Sequence, residues 1–277
     1  MYQTICTIAV LLAVSWQTPG RGSQSSASVK GVLLEDLTWV EAEKILTPQT
    51  IVVIPLGAAA KEHGPHLKLK NDWLIAEYLK RRVLEKSNVV VAPTISYGFY
   101  PAFVEYPGST TLRLETSRDL FIDVCRSLAR HGPKWFYILN TGISTIRALD
   151  PAADALREEG ILMRYTNLSV TEPVETQIRK EEGGTHADEI ETSMMLYIAP
   201  ESVNMAKAVK DYHPSQGPGG LTQSPKGQGV YSPTGVWGDA TLATREKGKM
   251  VVEALVAAVL REIEDLRRSA VPGLQSR

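Results

Sequence analysis

Cysteine is scarce in this chain: two residues in 277, Cys6 and Cys125. With Cys6 inside an N-terminal apolar run, no disulfide framework is available to hold the fold. Cys125 sits among apolar residues at helical spacing (Leu120, Phe121, Val124, Leu128), which predicts a buried structural thiol. An excess of one charge is missing too. Thirty basic and 31 acidic residues leave a formal net charge of -1, and Lys and Arg are scattered without a basic stripe or an aromatic-basic alternation. This argues against nucleic acid and anionic membrane surfaces as partners. The apolar run from Ile5 to Trp16 is too short to span a bilayer. There is no internal repeat and no heptad run.

What is present is ordinary for a globular chain: 43% hydrophobic and 22% charged residues. A chain of this length buries a core without needing a disulfide or metal merely to fold. Residues 1–28 read as a signal peptide followed by a Ser-rich tract, with Ile5 to Trp16 as its apolar segment and Ser25-Ser26-Ala27 as a cleavage site. The n-region lacks Lys and Arg. Export to the periplasm or medium, with no membrane association once the signal is removed, is the expectation. Residues 29–277 then form one domain.

Within it, Thr38-Trp39-Val40-Glu41 is a capping box opening a helix to about Leu46. Thr50 to Leu56 is a β-branched, wholly apolar run of the kind that makes a parallel strand buried on both faces. Further strands are expected over Asn88 to Ala92, Trp135 to Asn140 and Ile161 to Tyr165. Helices are expected from Asp72 to about Lys86, Thr116 to Arg130, Ile146 to Glu159, Thr185 to Ile198 and Leu242 to Leu266. Strands alternating with helices predict an α/β fold, with a mostly parallel sheet covered on both faces and a ligand crevice beyond the strand carboxyl ends. The loops starting at Gly57, Pro93 and Thr141 should meet there. Residues 214–239 hold seven glycines and four prolines. A loop that long predicts a lid or an oligomer contact, with Tyr231 and Trp237 favouring order.

Of five histidines, His63, His66 and His186 lie among carboxylates and glycines. Glu62-His63-Gly64-Pro65-His66, with Asp72 beginning the next helix, offers imidazole nitrogen and carboxylate oxygen to a hydrolytic divalent metal. In Gly183-Gly184-Thr185-His186-Ala187-Asp188-Glu189-Ile190-Glu191, Thr185 and Asp188 resemble a capping box. His186 would then be the first helical residue, kept neutral by the helix dipole. Spacing does not single out its carboxylate partner, and Glu189 lies nearer its helical face than Glu191. His213 is the spare histidine downstream, and its loop could swing in toward the site.

Together these stretches resemble the creatininase (creatinine amidohydrolase) family. The matching pieces are Pro55-Leu56-Gly57, Glu62 to Leu67 with Asp72, Tyr97-Gly98, Tyr106-Pro107-Gly108-Ser109-Thr110, His186-Ala187-Asp188 with Glu191-Thr192-Ser193, and Gly235 to Thr241. They cover about residues 30 to 265. The resemblance implies a three-layer α/β/α fold, often assembled as a hexamer, and metal-dependent hydrolysis of an amide C–N bond with zinc, manganese or iron. It implies His63 and Asp72 as metal ligands, His186 as general base or substrate-orienting group, and Glu191 rather than Glu189 as the acidic partner. Two positions depart from the pattern. Lys61 stands where a metal-binding Glu is expected, leaving Glu62 to serve as ligand or catalytic group. Asn140-Thr141-Gly142 lacks the histidine of an Asn-Gly-His motif.

The expectation is therefore a hydrolase of a small cyclic amide or peptide-like substrate, working with one divalent ion. His63, Asp72, Glu191 and Glu62 would hold the ion. His186 would shuttle the proton, and His66, Tyr97, Asn140 and Trp237 would contact substrate. A homo-oligomer is expected. The alternative is an exported, metal-free binding protein in which Lys61 pairs with Asp72. A third reading is metal-free hydrolysis of a lactone or cyclic imide by His186.

Overall fold

The computed structural model describes residues 29–212, 220–227 and 229–270. The expected signal segment and His213 lie outside these residues. A five-stranded sheet is built from β1 (Val32–Leu33), β2 (Ile51–Leu56), β3 (Val90–Val91), β4 (Trp135–Asn140) and β5 (Leu162–Tyr165). Its order is β1-β3-β2-β4-β5, and every pair is parallel. The register sets Val53 beside Tyr137 and Leu56 beside Asn140.

Among the described residues seven α-helices accompany it: α1 (Trp39–Ile45), α2 (Asn71–Lys86), α3 (Leu114–Ala129), α4 (Ile146–Glu158), α5 (Glu172–Ile178), α6 (Glu189–Ile198) and α7 (Arg245–Arg267). The unbroken apolar runs of β2 and β4 are explained by the layers on either side. Ile51, Val53, Tyr137 and Leu139 pack with Ile75, Leu79 and Val83 of α2, Met195 of α6 and Leu255 of α7. Val52, Ile54, Phe136 and Ile138 point the other way, onto Phe121 and Cys125 of α3 and Leu149 and Leu156 of α4. A strand alternates its side chains between faces, so two apolar faces demand a run with no polar interruption. This is the three-layer α/β/α arrangement. Cys125 is fully buried, and burial alone pushes its thiol far above the ordinary range.

The capping box at Thr38 is formed: the Thr38 amide donates to Glu41 Oε2 at 2.8 Å and the Glu41 amide to Thr38 Oγ1 at 3.4 Å. Two expectations need correction. The strand expected over Asn88 to Ala92 pairs only at Val90–Val91. The helix expected from Thr185 starts at Glu189 instead, capped by Asp188, whose Oδ1 accepts the Glu191 amide at 2.9 Å. His186 is not helical. Its backbone bridges antiparallel to Trp237, and Ala187 has φ +49°, a left-handed conformation that ends any helix started upstream.

The Gly- and Pro-rich stretch carries short structure of its own. β6 (Lys210–Asp211) pairs with β9 (Gly238–Asp239), and β7 (Leu221–Thr222) with β8 (Val230–Tyr231). Tyr106, Leu221 and Val230 form a small core there, with Phe103 and Trp237 packed against it. These strands hang on the site-bearing loops and explain why a glycine-rich segment is ordered at Trp237.

A close backbone approach joins α6 to α7. A Cβ at Gly248 would stand 1.8 Å from the Ser193 carbonyl oxygen. The obstacle is helix backbone, which cannot rotate aside, so Gly248→Ala should cost about 3 kcal/mol, the upper end of ordinary overpacking. Thermal unfolding checks this; an unshifted melting temperature would mean the two helices have room to part.

Candidate active site

The loops that leave the strand carboxyl ends do converge. The Gly57 amide donates to Ile95 O at 3.1 Å, the Ala59 amide to Ser96 O at 3.2 Å, and Thr141 Oγ1 to Leu56 O at 2.9 Å. The loop after β2 carries Lys61, Glu62, His63 and His66 and runs into α2, whose second residue is Asp72. The segment before α6 brings His186, and the first turn of α6 brings Glu191.

His63 is completely buried, with Nδ1 2.9 Å from Lys61 O and Nε2 2.8 Å from Asp72 Oδ1 and 3.3 Å from Glu191 Oε1. A carbonyl only accepts, so Nδ1 carries a proton and Nε2 is the nitrogen turned to the carboxylates. Burial by itself would lower the His63 pKa, but the charges of Asp72 and Glu191 outweigh it and raise the ring to about 9. His186 is oriented in the opposite sense. Its Nε2 lies 3.0 Å from both Glu62 O and Glu62 Oε2. Both are acceptors, so Nε2 carries a proton, and Nδ1 lies 3.7 Å from Glu191 Oε2. A carboxylate that fixes one imidazole nitrogen as a donor and leaves the other as a base is the orienting arrangement of hydrolytic dyads.

Glu191 reaches back across its own helix start. Its Oε2 accepts the Ala187 amide at 2.7 Å and its Oε1 accepts Asn71 Nδ2 at 3.2 Å. Burial would raise this carboxyl, but the charge of His63 and its contact with Glu191 hold it far below the ordinary range. Glu189, the nearer residue by helical spacing, faces away: it receives the amides of Lys180 and Glu181 at 2.8 Å and pairs with Lys247.

Asp72 spans two cationic partners, His63 through Oδ1 and the Lys61 ammonium 2.8 Å from Oδ2. Burial opposes both charges. The neighbours win in each case, Asp72 being held below its usual range by Lys61 and His63, and Lys61 above its own by Asp72, Glu191 and Glu62.

Among the described residues, His63, His186 and Glu191 form the one cluster of three or more His, Cys, Asp or Glu whose ligand atoms all lie within 4.8 Å of one another. Once an ion displaces the His63 Nε2 proton, two imidazole nitrogens and a carboxylate oxygen would suit one divalent ion. His63 also has the buttress such ligands need, its second nitrogen donating to a backbone carbonyl. At the end of β4 the donors are spent on one another: Asn140 Nδ2 donates to Gly142 O at 2.7 Å, and Thr145 Oγ1 donates to Asn140 Oδ1 at 2.6 Å.

The four expected substrate contacts end in different places. Asn140 is buried inside that loop brace. Tyr97 is 53% exposed. His66 is buried, with Nε2 2.8 Å from Thr192 Oγ1, and burial lowers its pKa to about 4. Trp237 has its backbone on His186, and its buried Nε1 has no hydrogen-bond partner.

Several residues carry site roles that the sequence did not assign to them. Phe103 follows the Pro93 loop, and its ring centroid is 4.2 Å from that of His186. Asn71 positions Glu191 and adjoins Asp72, which was a signal. Ser109 Oγ accepts the Glu62 amide at 2.9 Å. Gly235, with φ +78°, packs its backbone on the Glu62 carboxylate so closely that a Cβ would fall 2.0 Å from Oε1. Only glycine fits both that conformation and that approach.

Comparison with known proteins agrees with this fold. The family model for creatininase, described as creatinine amidohydrolase, matches residues 35–263. Creatinine amidohydrolase of Pseudomonas putida is 27% identical over 85% of this chain and 97% of its own. A mycofactocin precursor peptide peptidase of Mycobacterium ulcerans is 29% identical, covering 74% of this chain and 81% of its own. A 3-dehydro-scyllo-inosose hydrolase of Thermotoga maritima is 28% identical over 85% and 84%. A crystal structure of creatinine amidohydrolase superposes with a TM-score of 0.72 at 25% identity, covering 87% of this chain and 100% of that one. Other creatininase structures, at 26% identity and TM-score 0.70 over 85% of this chain and 98% of theirs, include one named for manganese and a mutant of Zn-Zn type.

Proposed function

The chain belongs to the creatininase family, and from that premise we propose that it is a hydrolase cleaving a C–N bond of a small cyclic amide or peptide-like substrate with the help of one divalent ion. The observation that carries this reading is the cluster of His63, His186 and Glu191, whose ligand atoms lie within 4.8 Å of one another at the sheet edge where the loops meet. His63 Nε2 and Glu191 would hold the ion, with Asp72 Oδ1 beside them. A divalent ion there supplies Lewis acidity, making water a nucleophile at neutral pH and polarising the scissile carbonyl.

The chain's own groups do the rest. Glu62 fixes the tautomer of His186 by accepting from Nε2. His186 Nδ1 takes a proton from the attacking water and returns it to the leaving nitrogen. Phe103 covers one face of that ring, excluding water and restricting its rotation. Trp237 Nε1 offers a donor to a substrate oxygen. The relatives named above are hydrolases of small molecules and of a peptide, which supports this substrate class. Zinc, manganese or iron would serve. The homo-oligomer and export remain part of this proposal.

The test is a panel of cyclic amides and short peptides assayed before and after chelation. Hydrolysis should vanish with chelator and return with zinc or manganese. Chelator-insensitive hydrolysis would favour metal-free chemistry at His186. Folded protein that takes up no metal and hydrolyses nothing would favour the binding-protein reading. The Lys61–Asp72 contact of 2.8 Å is the observation that speaks for that second reading.

A further inference from the structure

We propose that the Lys61 ammonium is a resident cation of the active site, taking the place of a second metal ion and limiting the centre to one. This rests on the one-ion reading above and deepens it.

The first observation is the way Asp72 is shared. One oxygen, Oδ1, faces His63 and the ion-binding cluster, and the other, Oδ2, holds Lys61 Nζ at 2.8 Å. A carboxylate arranged like this bridges two cationic positions, and one of the two is filled covalently by the chain. The second observation is the wall around the ammonium. Nζ lies 4.8 Å from the Phe103 ring centroid and 5.7 Å from that of Tyr100. Aromatic faces attract an ammonium but give a divalent ion none of the oxygen or nitrogen donors it requires. The third is the end of β4, where the side chains of Asn140 and Thr145 are spent on each other and on Gly142.

Charge balance points the same way. Glu62, Asp72 and Glu191 bring three carboxylates, which one ammonium and one divalent ion neutralise once His63 gives up its Nε2 proton to become a ligand. A second divalent ion would leave excess positive charge in a buried site, unless the ammonium were driven out of its pairing. The side chain is also held from its root. The Lys61 amide donates to Leu69 O at 3.0 Å, and Lys61 O receives the His63 Nδ1 proton at 2.9 Å. Lys61 and His63 are therefore placed by the same piece of backbone.

The experiment counts ions. Wild type, K61E and K61Q are stripped, reloaded with excess zinc or manganese, desalted and examined by native mass spectrometry and elemental analysis, with circular dichroism to confirm folding. About one ion per chain is expected on wild type and about two on K61E, whose new carboxylate would share Asp72 with a second ion. K61Q removes the ammonium without adding a carboxylate and should take a second ion more weakly; it decides the matter if K61E does not fold. Two ions on wild type would overturn the proposal while leaving the hydrolase reading intact. One ion on every variant would overturn it equally. None on wild type but one on K61E would uphold Lys61 as the resident cation and overturn the one-ion catalytic reading. None on any variant would defeat both.

Discussion

His186→Gln should lower turnover of any hydrolysed substrate by roughly a hundred- to ten-thousand-fold, the range associated with losing a positioned general acid–base group. Glutamine is close in size and can still donate to the Glu62 carboxylate, which lies 3.0 Å from His186 Nε2 in the native arrangement. It has no lone pair that titrates in the useful range at the Nδ1 position. The fall should therefore appear in kcat, with the melting temperature nearly unchanged. The metal count separates two roles. If His186 moves protons, the variant keeps its ion. If Nδ1 is the third donor of the cluster, the ion is lost and the proton-shuttle assignment fails. Glu62→Gln should give a smaller effect in the same direction, because it disturbs only the tautomer that Glu62 enforces.

Asp72→Ala should produce the largest loss of stability of any single change at the site. The substitution leaves the Lys61 ammonium buried without its carboxylate, and His63 without one of its two. Breaking a buried pair from one side costs about 3–5 kcal/mol. For a chain of this size that is a fall in melting temperature of roughly 5–15 °C. Calorimetry or a dye-based melt of the stripped protein measures it. A change under about 1 kcal/mol, the scale of a surface pair, would mean the contact is solvated.

The pH dependence follows from the direction of the shift. Asp72 is held below its ordinary value of 3.8, so folding is favoured by ionised Asp72 at pH values above that value. The contribution is lost as pH falls through the lower folded-state value. In stripped protein, wild type should therefore lose its advantage over Asp72→Ala on acidification below pH 4. An advantage that instead grew toward acid would contradict the pairing.

The Asp72 and His186 cases differ in how much of each was legible in the chain. Asp72 could be placed at the start of a helix from the apolar spacing of Leu74, Ile75, Tyr78, Leu79 and Val83, and the helix does begin at Asn71. For His186 local reasoning failed. Thr185 and Asp188 have the residue types of a capping box, yet Trp237 captures the backbone of His186 and Asp188 caps the helix alone. Trp237 lies 51 residues further on, in a stretch rich in glycine and proline, and no periodicity announces that pairing. The choice between Glu189 and Glu191 turned on the same event. Once the helix starts at Glu189, Glu191 sits in its first turn and folds back onto the Ala187 amide, while Glu189 is drawn to Lys247.

The amino-acid sequence alone determined the architecture: parallel strands where apolar runs have no polar break, helices where apolar residues recur every three to four positions, and acid–imidazole loops at the strand ends. These are local signals, because the alternation of a strand and the turn of a helix act over a few residues. Tertiary structure decided the chemistry. Only the meeting of separate loops sets Glu62 against His186, aims the two imidazoles oppositely, and seats Lys61 on Asp72 between Phe103 and Tyr100. Such contacts are fixed by the sheet that brings the loops together, and a charge buried there has its partner chosen by desolvation, which spacing along the chain does not record.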